Sequence, residues 1–429
     1  MIPFTKDVLA NGLQVIVHED HHAPLVAVSV WYHVGSKNER RGLTGFAHLF
    51  EHLMFEGSAH QPHGYFEPLQ QAGASVNGST SADRTNYWEV VPKDAAELAL
   101  WMEADRMGWM LPAVTEDRFN TQREVVLNER RESYENRPYG LAQFALFERL
   151  FPREHPYSWP TIGDPADLRA AGLSDVHEFF RRFYHPGNAS LAIAGDIGTA
   201  EAMRLARKWF EDIPEGAAVE PVRAAHPAPA RARLVLEDRV ELPRLYLAWP
   251  APALFAPGDA ALDLLSDILA NGRSSRLYRR LMHTERIAAE VAAGQGSREL
   301  GSIFQIVSTA APDRTPAEIA DIVTEEIRRF IAEGPTQDEV DRGRRQAEAS
   351  FVYRLQTLGG FGGRADQLNA YNVYRGTPAY FDADLQRYLD VTADDLVAAA
   401  TALEPDDATL LSVVPHGRAD LAPTGSVPA

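Results

Sequence analysis

The sequence contains no cysteine, which excludes disulfides, thiolate metal ligands and thiol nucleophiles together. It also lacks any apolar run near the roughly 18 residues of a membrane-spanning helix, so no membrane span is expected. The opening Met1-Ile2-Pro3-Phe4-Thr5-Lys6-Asp7 has no basic segment followed by an apolar one. As it stands, the chain is expected to be cytoplasmic, or periplasmic if a signal peptide has been removed. Basic excess is missing too: 42 Lys and Arg face 60 Asp and Glu, a formal net charge of −18 spread over both halves. Nucleic-acid binding through phosphate contacts is therefore not expected. Neither G-x-x-x-x-G-K-[ST] nor G-x-S-x-G occurs, which leaves phosphate-loop and serine-hydrolase chemistry without a motif. The run Gly359-Gly360-Phe361-Gly362-Gly363 follows a long helical pattern and reads as a flexible break.

What the chain does have is His48-Leu49-Phe50-Glu51-His52. On a helix, positions i and i+4 differ by about 40° in azimuth and about 6 Å in rise, so both imidazoles can close on one metal ion. Zn²⁺ held by nitrogen and carboxylate ligands, with one open position, lowers the pKa of bound water to about 7. Glu51 lies beside that face as a general base. The order is H-x-x-E-H, the inverse of H-E-x-x-H. The surrounding Gly45 to Phe55 is strongly apolar, so these polar groups are expected to be partly buried and to need partners.

Along the chain, Asn11-Gly12 between short apolar segments signals a hairpin with a type I′ turn. Extended segments are expected at Leu25 to Val34, Val76 to Val91 and Ala189 to Ala194, and helices at Ala95 to Met110, Glu116 to Glu135 and Ala200 to Glu211. A stretch rich in Pro and Ala then forms a linker, 214–232. After it the order repeats loosely: strands at Leu234 to Leu236 and Leu245 to Trp249, a helix at Ala260 to Leu269, and extended segments within Glu290 to Ala311. Helices Pro316 to Glu333 and Thr336 to Leu358 and a strand Thr409 to Val414 follow. This pattern predicts an internally duplicated α+β protein, with a metal-binding domain at 1–213 and a second domain at 233–429. The second domain's equivalent helix has no histidine, so one zinc per chain is expected.

Catalytic zinc has three protein ligands as a rule. His60, His63, Glu67 and the glutamates of Glu116 to Glu135 are candidates for the third. On that helix Phe119, Gln122, Val126, Glu129 and Ser133 form one inward stripe. Glu129 is thus favoured, Glu132 lies about 60° off it, and Glu124 faces away. The alternative for Glu129 is an ion pair with Arg84 or Arg106.

These residues resemble the pitrilysin/insulinase group of inverted-zincin metallopeptidases, which includes the mitochondrial processing peptidases and short bacterial relatives. In that group the third ligand is a glutamate about 77 residues after the second histidine, in a V-V-x-x-E segment, which Val125-Val126-Leu127-Asn128-Glu129 matches. Asn11-Gly12-Leu13, Gly45 to Gly57, Ala74-Ser75-Val76-Asn77, Tyr184-His185-Pro186 and Ser274-Ser275-Arg276-Leu277-Tyr278 agree as well. The resemblance implies two α/β-roll domains per chain, with two chains closing around a chamber. It also implies hydrolysis of short or unfolded peptides by a zinc endopeptidase. A peptide would add as a strand to the edge at Ala74, Ser75, Val76 and Asn77, whereas the residues alone allow Asn77-Gly78 to be merely a turn. Two other readings are a processing peptidase that removes basic targeting segments and a structural subunit of an assembly.

Two departures stand out. Gln122 occupies a place where relatives often carry a second glutamate. Relatives also place an arginine and a tyrosine after the S-S-R-L-[FY] segment, where this chain has Met282 and Ala289. The expected partner is therefore a homologous subunit without zinc that supplies the pair, with a homodimer as the alternative.

Overall fold

The computed structural model describes residues 2–429. The chain forms two compact units, each built on a six-stranded sheet. The first unit comprises residues up to Glu129, Trp159–Val222 and Phe351–Ala383. Its strands are β1 (Thr5–Val8), β2 (Gln14–Glu19), β3 (Leu25–Tyr32), β4 (Ser75–Thr80), β5 (Thr85–Pro92) and β6 (Ala189–Gly195). They lie in the order β1-β2-β6-β3-β5-β4, with β2 parallel to β6 and the other pairs antiparallel. β4 is therefore an edge strand.

The second unit comprises Arg130–Ser158, Arg223–Ser350 and Asp384–Ala429. It holds β7 (Ala232–Asp238), β8 (Arg244–Ala251), β9 (Ala288–Gly296), β10 (Ser302–Ala310), β11 (Thr409–Pro415) and β12 (Val427–Pro428). The order β12-β7-β11-β8-β10-β9 repeats the first sheet, with β7 parallel to β11 as β2 is to β6. One difference is at the outer edge, where β12 runs parallel to β7 whereas β1 runs antiparallel to β2. The mixed α+β architecture and the repeated strand order agree with the sequence expectation.

The units are not the contiguous stretches 1–213 and 233–429. Helix Ala142–Leu150 precedes the linker in sequence but packs on β8 and β11 of the second sheet. Helix Arg364–Arg375 comes late in the chain but covers β6, β3 and β2 of the first. Strand alternation explains why that first sheet needs a cover on each face. Tyr87 and Glu89 of β5 point to the buried Arg106 of helix Ala96–Trp109, while Asn86 points the other way, to Asp366.

The opening turn also differs from expectation. Gly12 takes a positive φ of 85° but Asn11 does not, so the turn is not type I′. Asn11 is instead buried, its side-chain NH₂ donating to the carbonyls of Phe210 and Ile213 at 2.7 and 2.9 Å. Among the described residues no helix is long and apolar enough to cross a membrane.

Candidate metal centre

Helix Phe46–Leu53 carries the histidines. Phe46, Leu49, Phe50 and Leu53 are buried on its apolar side, with Phe50 stacked on Phe179 and Tyr184 at 5.2 and 5.1 Å. That packing fixes the helix about its axis and turns His48 and His52 together to the opposite side. Its start is held by Glu39, whose two oxygens accept the N–H groups of Gly45 (3.0 Å) and Ala47 (2.8 Å), while Trp159 Nε1 adds a third bond at 3.2 Å. Such donors favour a carboxylate at a helix N-terminus. Burial works against it and pushes the Glu39 carboxyl up to about 8. Sequence reasoning missed this residue because it lies outside the motif and its role depends on a loop folding back.

The third group comes from helix Glu116–Arg130, which passes directly into a π-helical turn, Arg131–Glu135. Glu129 stands just before that change of pitch, and one of its oxygens is 3.6 Å from His48 Nε2 and 3.4 Å from His52 Nε2. Ligand bonds of about 2.0–2.1 Å to a tetrahedral ion put donor atoms roughly 3.3–3.4 Å apart. Donor atoms of all three residues lie within 4.8 Å of one another, and this is the one such metal-competent group among the described residues. Glu124 and Glu132 are exposed.

The charge states suit coordination. Burial, reinforced by the neighbouring His52, pushes His48 down to about 4, leaving a neutral ring with a free lone pair. Hydrogen bonding to His52 holds the Glu129 carboxyl below its ordinary value, so it is ionised. Glu51 shifts the other way. Burial raises its carboxyl, only partly offset by a hydrogen bond from Thr80. Thr80, on β4, is a second residue that the motif did not reveal.

The other candidates are engaged elsewhere. His60 Nδ1 is 2.5 Å from Asp105 Oδ1, Glu67 accepts a bond from Gln71, and His63 is exposed. The alternative ion pair for Glu129 does not form: Arg106 is closed on Glu103 and Glu89, and Arg84 donates to Ser79. Gln122 donates to Glu56 at 2.6 Å, so a glutamate there would set two carboxylates against each other. Ser75, Val76 and Asn77 lie on β4, whose outer edge is unpaired among the described residues, and Ala74 immediately precedes it. Asn77-Gly78 is strand and not turn, with Asn77 exposed opposite Trp88.

In the second unit, Met282 packs against the apolar core and Ala289 is exposed at the start of β9. Helix Asp259–Leu269 has carboxylates where the first unit has its histidine-bearing helix, and they are already satisfied. Asp259 accepts from Arg387 Nη2 at 2.7 Å and Asp263 from the Tyr388 hydroxyl at 2.7 Å.

The family described as Insulinase (Peptidase family M16) matches residues 14–157, and the one described as Peptidase M16 inactive domain matches residues 171–347. The "Zinc protease PqqE" of Helicobacter pylori is 29% identical over 398 residues, covering 91% of this chain and 88% of that protein. An uncharacterized zinc protease of Streptomyces coelicolor is 25% identical over 406 residues, covering 92% and 86%. Among solved structures, a protease from Helicobacter pylori superposes with a TM-score of 0.89 at 26% identity, over 97% of this chain and all of that one. The fold of the periplasmic protease PqqL from Escherichia coli is matched with a TM-score of 0.80 at 18% identity, over 98% of this chain and 49% of that one. With both halves matched in order and the fold shared throughout, the chain belongs to peptidase family M16, the insulinase family.

Proposed function

We propose that this protein is a zinc-dependent endopeptidase, with His48, His52 and Glu129 holding one Zn²⁺ per chain and Glu51 as general base and then general acid. The observation that carries this reading is the convergence of the Glu129 carboxylate on the His48 and His52 imidazoles at 3.6 and 3.4 Å, with the partly buried Glu51 on the histidines' own helix. Relatives named zinc proteases support the choice of ion. Zinc bound there supplies Lewis acidity to a water molecule and to the scissile carbonyl. Glu51 receives the water's proton and returns it to the leaving amine, a task helped by a carboxyl whose affinity for protons burial has raised. The free edge of β4 offers backbone groups to an extended peptide, which selects short or unfolded chains.

The proposed working form is a dimer around a chamber, in which a homologous subunit provides the arginine and tyrosine replaced here by Met282 and Ala289. A fold match over half of PqqL, together with a match to 92% of its separately solved first half, supports pairing of two such lengths. Metal analysis of the purified chain, combined with cleavage of an unstructured peptide before and after chelation, tests the reading. Near one zinc per chain and chelator-sensitive cleavage are expected. A chain that takes up no zinc would overturn it.

A further inference from the structure

The glycine-rich run does break the helical pattern, between Gln356 and Arg364, and it does so as a closely packed turn. Gly359 sits so close to the first sheet that a Cβ there would meet Val90 Cγ2 at 2.6 Å and Ala27 Cβ at 2.7 Å. Gly360 and Gly362 take positive φ values of 79° and 73°. This tight turn delivers Asp366 into the sheet. Its carboxylate accepts three bonds: Gly362 N–H at 2.7 Å, Trp31 Nε1 at 2.8 Å and Asn86 Nδ2 at 3.1 Å.

Those bonds continue in one direction. A carboxylate only accepts, so Asn86 must present its NH₂ to Asp366, which leaves its carbonyl oxygen to accept from Ser79 Oγ at 2.7 Å. Ser79 Oγ in turn accepts from Arg84 Nη1 at 2.6 Å, and the same nitrogen reaches Ser79 O at 2.9 Å. The Arg84 guanidinium lies 5.1 Å from the Trp31 ring centroid, and the ring closes back on Asp366. Ser79 is the penultimate residue of β4. The next residue, Thr80, faces the other side of the sheet, where its hydroxyl donates to the Ala47 carbonyl of the histidine-bearing helix at 3.5 Å.

We propose that Asp366 is a positioning residue for the peptidase site: through Asn86 and Ser79 it holds the end of the free-edge strand β4, and hence the peptide-pairing edge and Thr80. This rests on the peptidase reading given above. Asn369 provides an internal control. It lies on the same helix and bonds to Ser29 and Ser190, on β3 and β6, with no link to β4.

The experiment uses the full chain carrying Glu51→Gln, which binds without cleaving, and an unstructured fluorescent peptide. Peptide affinity, hydrogen exchange of residues 75–80 and thermal stability are measured for Asp366→Ala, Ser79→Ala and Asn369→Ala. Asp366→Ala and Ser79→Ala are expected to weaken peptide binding about tenfold, since a loosened edge must be ordered on binding, and to speed exchange in 75–80. Asn369→Ala should lower stability without either effect. If Asp366→Ala fails to fold, Ser79→Ala, a single hydroxyl deletion, still breaks the ring. Equal effects from Asn369→Ala, or unchanged exchange and affinity in Ser79→Ala, would overturn the proposal. Absence of peptide binding by the Glu51→Gln chain itself would sink the peptidase reading, while exchange in 75–80 would still decide whether Asp366 holds the strand.

Discussion

At residue 129 a carboxylate, 38% exposed, faces two imidazoles. Its neighbours on the helix point away, so Glu129→Ala should empty the metal site, whereas Glu124→Ala and Glu132→Ala should leave zinc stoichiometry unchanged; elemental analysis of the purified variants decides. Glu51→Gln is a different kind of change. It spares the three donors and removes the proton carrier, so zinc should remain while turnover falls on the order of 10²- to 10⁴-fold. Near-normal turnover would remove Glu51 from the mechanism. These positions were legible in the sequence because helical spacing is rigid: i and i+4 share a face, and an inward stripe that includes Phe119 and Val126 carries Glu129 with it. Glu39 and Thr80 were not legible. Each reaches the histidine-bearing helix from a loop or strand whose approach is set by tertiary packing and leaves no local period.

Among the elements, the histidine-bearing helix depends on a contact between two glycines. Gly45 starts it with φ 88°, and a Cβ on Gly163 would lie 2.4 Å from Gly45 Cα. Backbone cannot yield as a flexible side chain can, so Gly163→Ala should displace the helix start. Overpacking and strain of this kind cost about 1–3 kcal/mol, and zinc affinity should fall along with stability. A second test concerns helix Gln337–Gln356. Glu339 forms a capping box with Thr336 and accepts Arg276 Nε and Nη2 at 2.8 and 2.7 Å. Burial opposes ionisation there, but the Arg276 fork and the Thr336 N–H together bring the carboxyl down to about 2. The folded value lies below the ordinary 4.5, so this contribution to stability is complete above that pH and is lost as pH falls from about 4.5 towards 2. Glu339→Gln should therefore melt lower than the parent at pH 7, with the gap closing in acid. A constant gap from pH 7 to 3 would contradict the pairing. Most strands were readable from their apolar runs. Helix Arg364–Arg375 was not, because it meets the first sheet through Asp366, Asn369 and Asn372, a polar stripe that mimics a solvated face.

On the scale of the molecule, repeated element order disclosed the duplication, but a pattern of apolar faces tells only that a face is covered, not which element covers it. The crossing of Ala142–Leu150 and Arg364–Arg375 between the two sheets therefore escaped the reading. A fragment of residues 1–213 lacks the helix that bonds to the buried Ser29 and Ser190, so those groups would lose these partners. It should be unfolded or aggregate by circular dichroism and sizing, where a cooperative native-like melt would show the cover to be dispensable. Completeness of the active site is a separate matter. Relatives are expected to bring an arginine and a tyrosine to the substrate, but Met282 and Ala289 have no side-chain donor. Loss of one such donor costs about 3–4 kcal/mol in the transition state. This chain alone should thus bind zinc yet turn over weakly, and a homologous subunit carrying the pair should raise hydrolysis at least a hundredfold on the same scale. Mixing the two purified chains, with mass and peptide cleavage followed together, tests this. A heterodimer whose activity rises at least a hundredfold on mixing is expected, and full activity from this chain alone, unchanged by the partner, would assign the missing donors to residues of this chain instead.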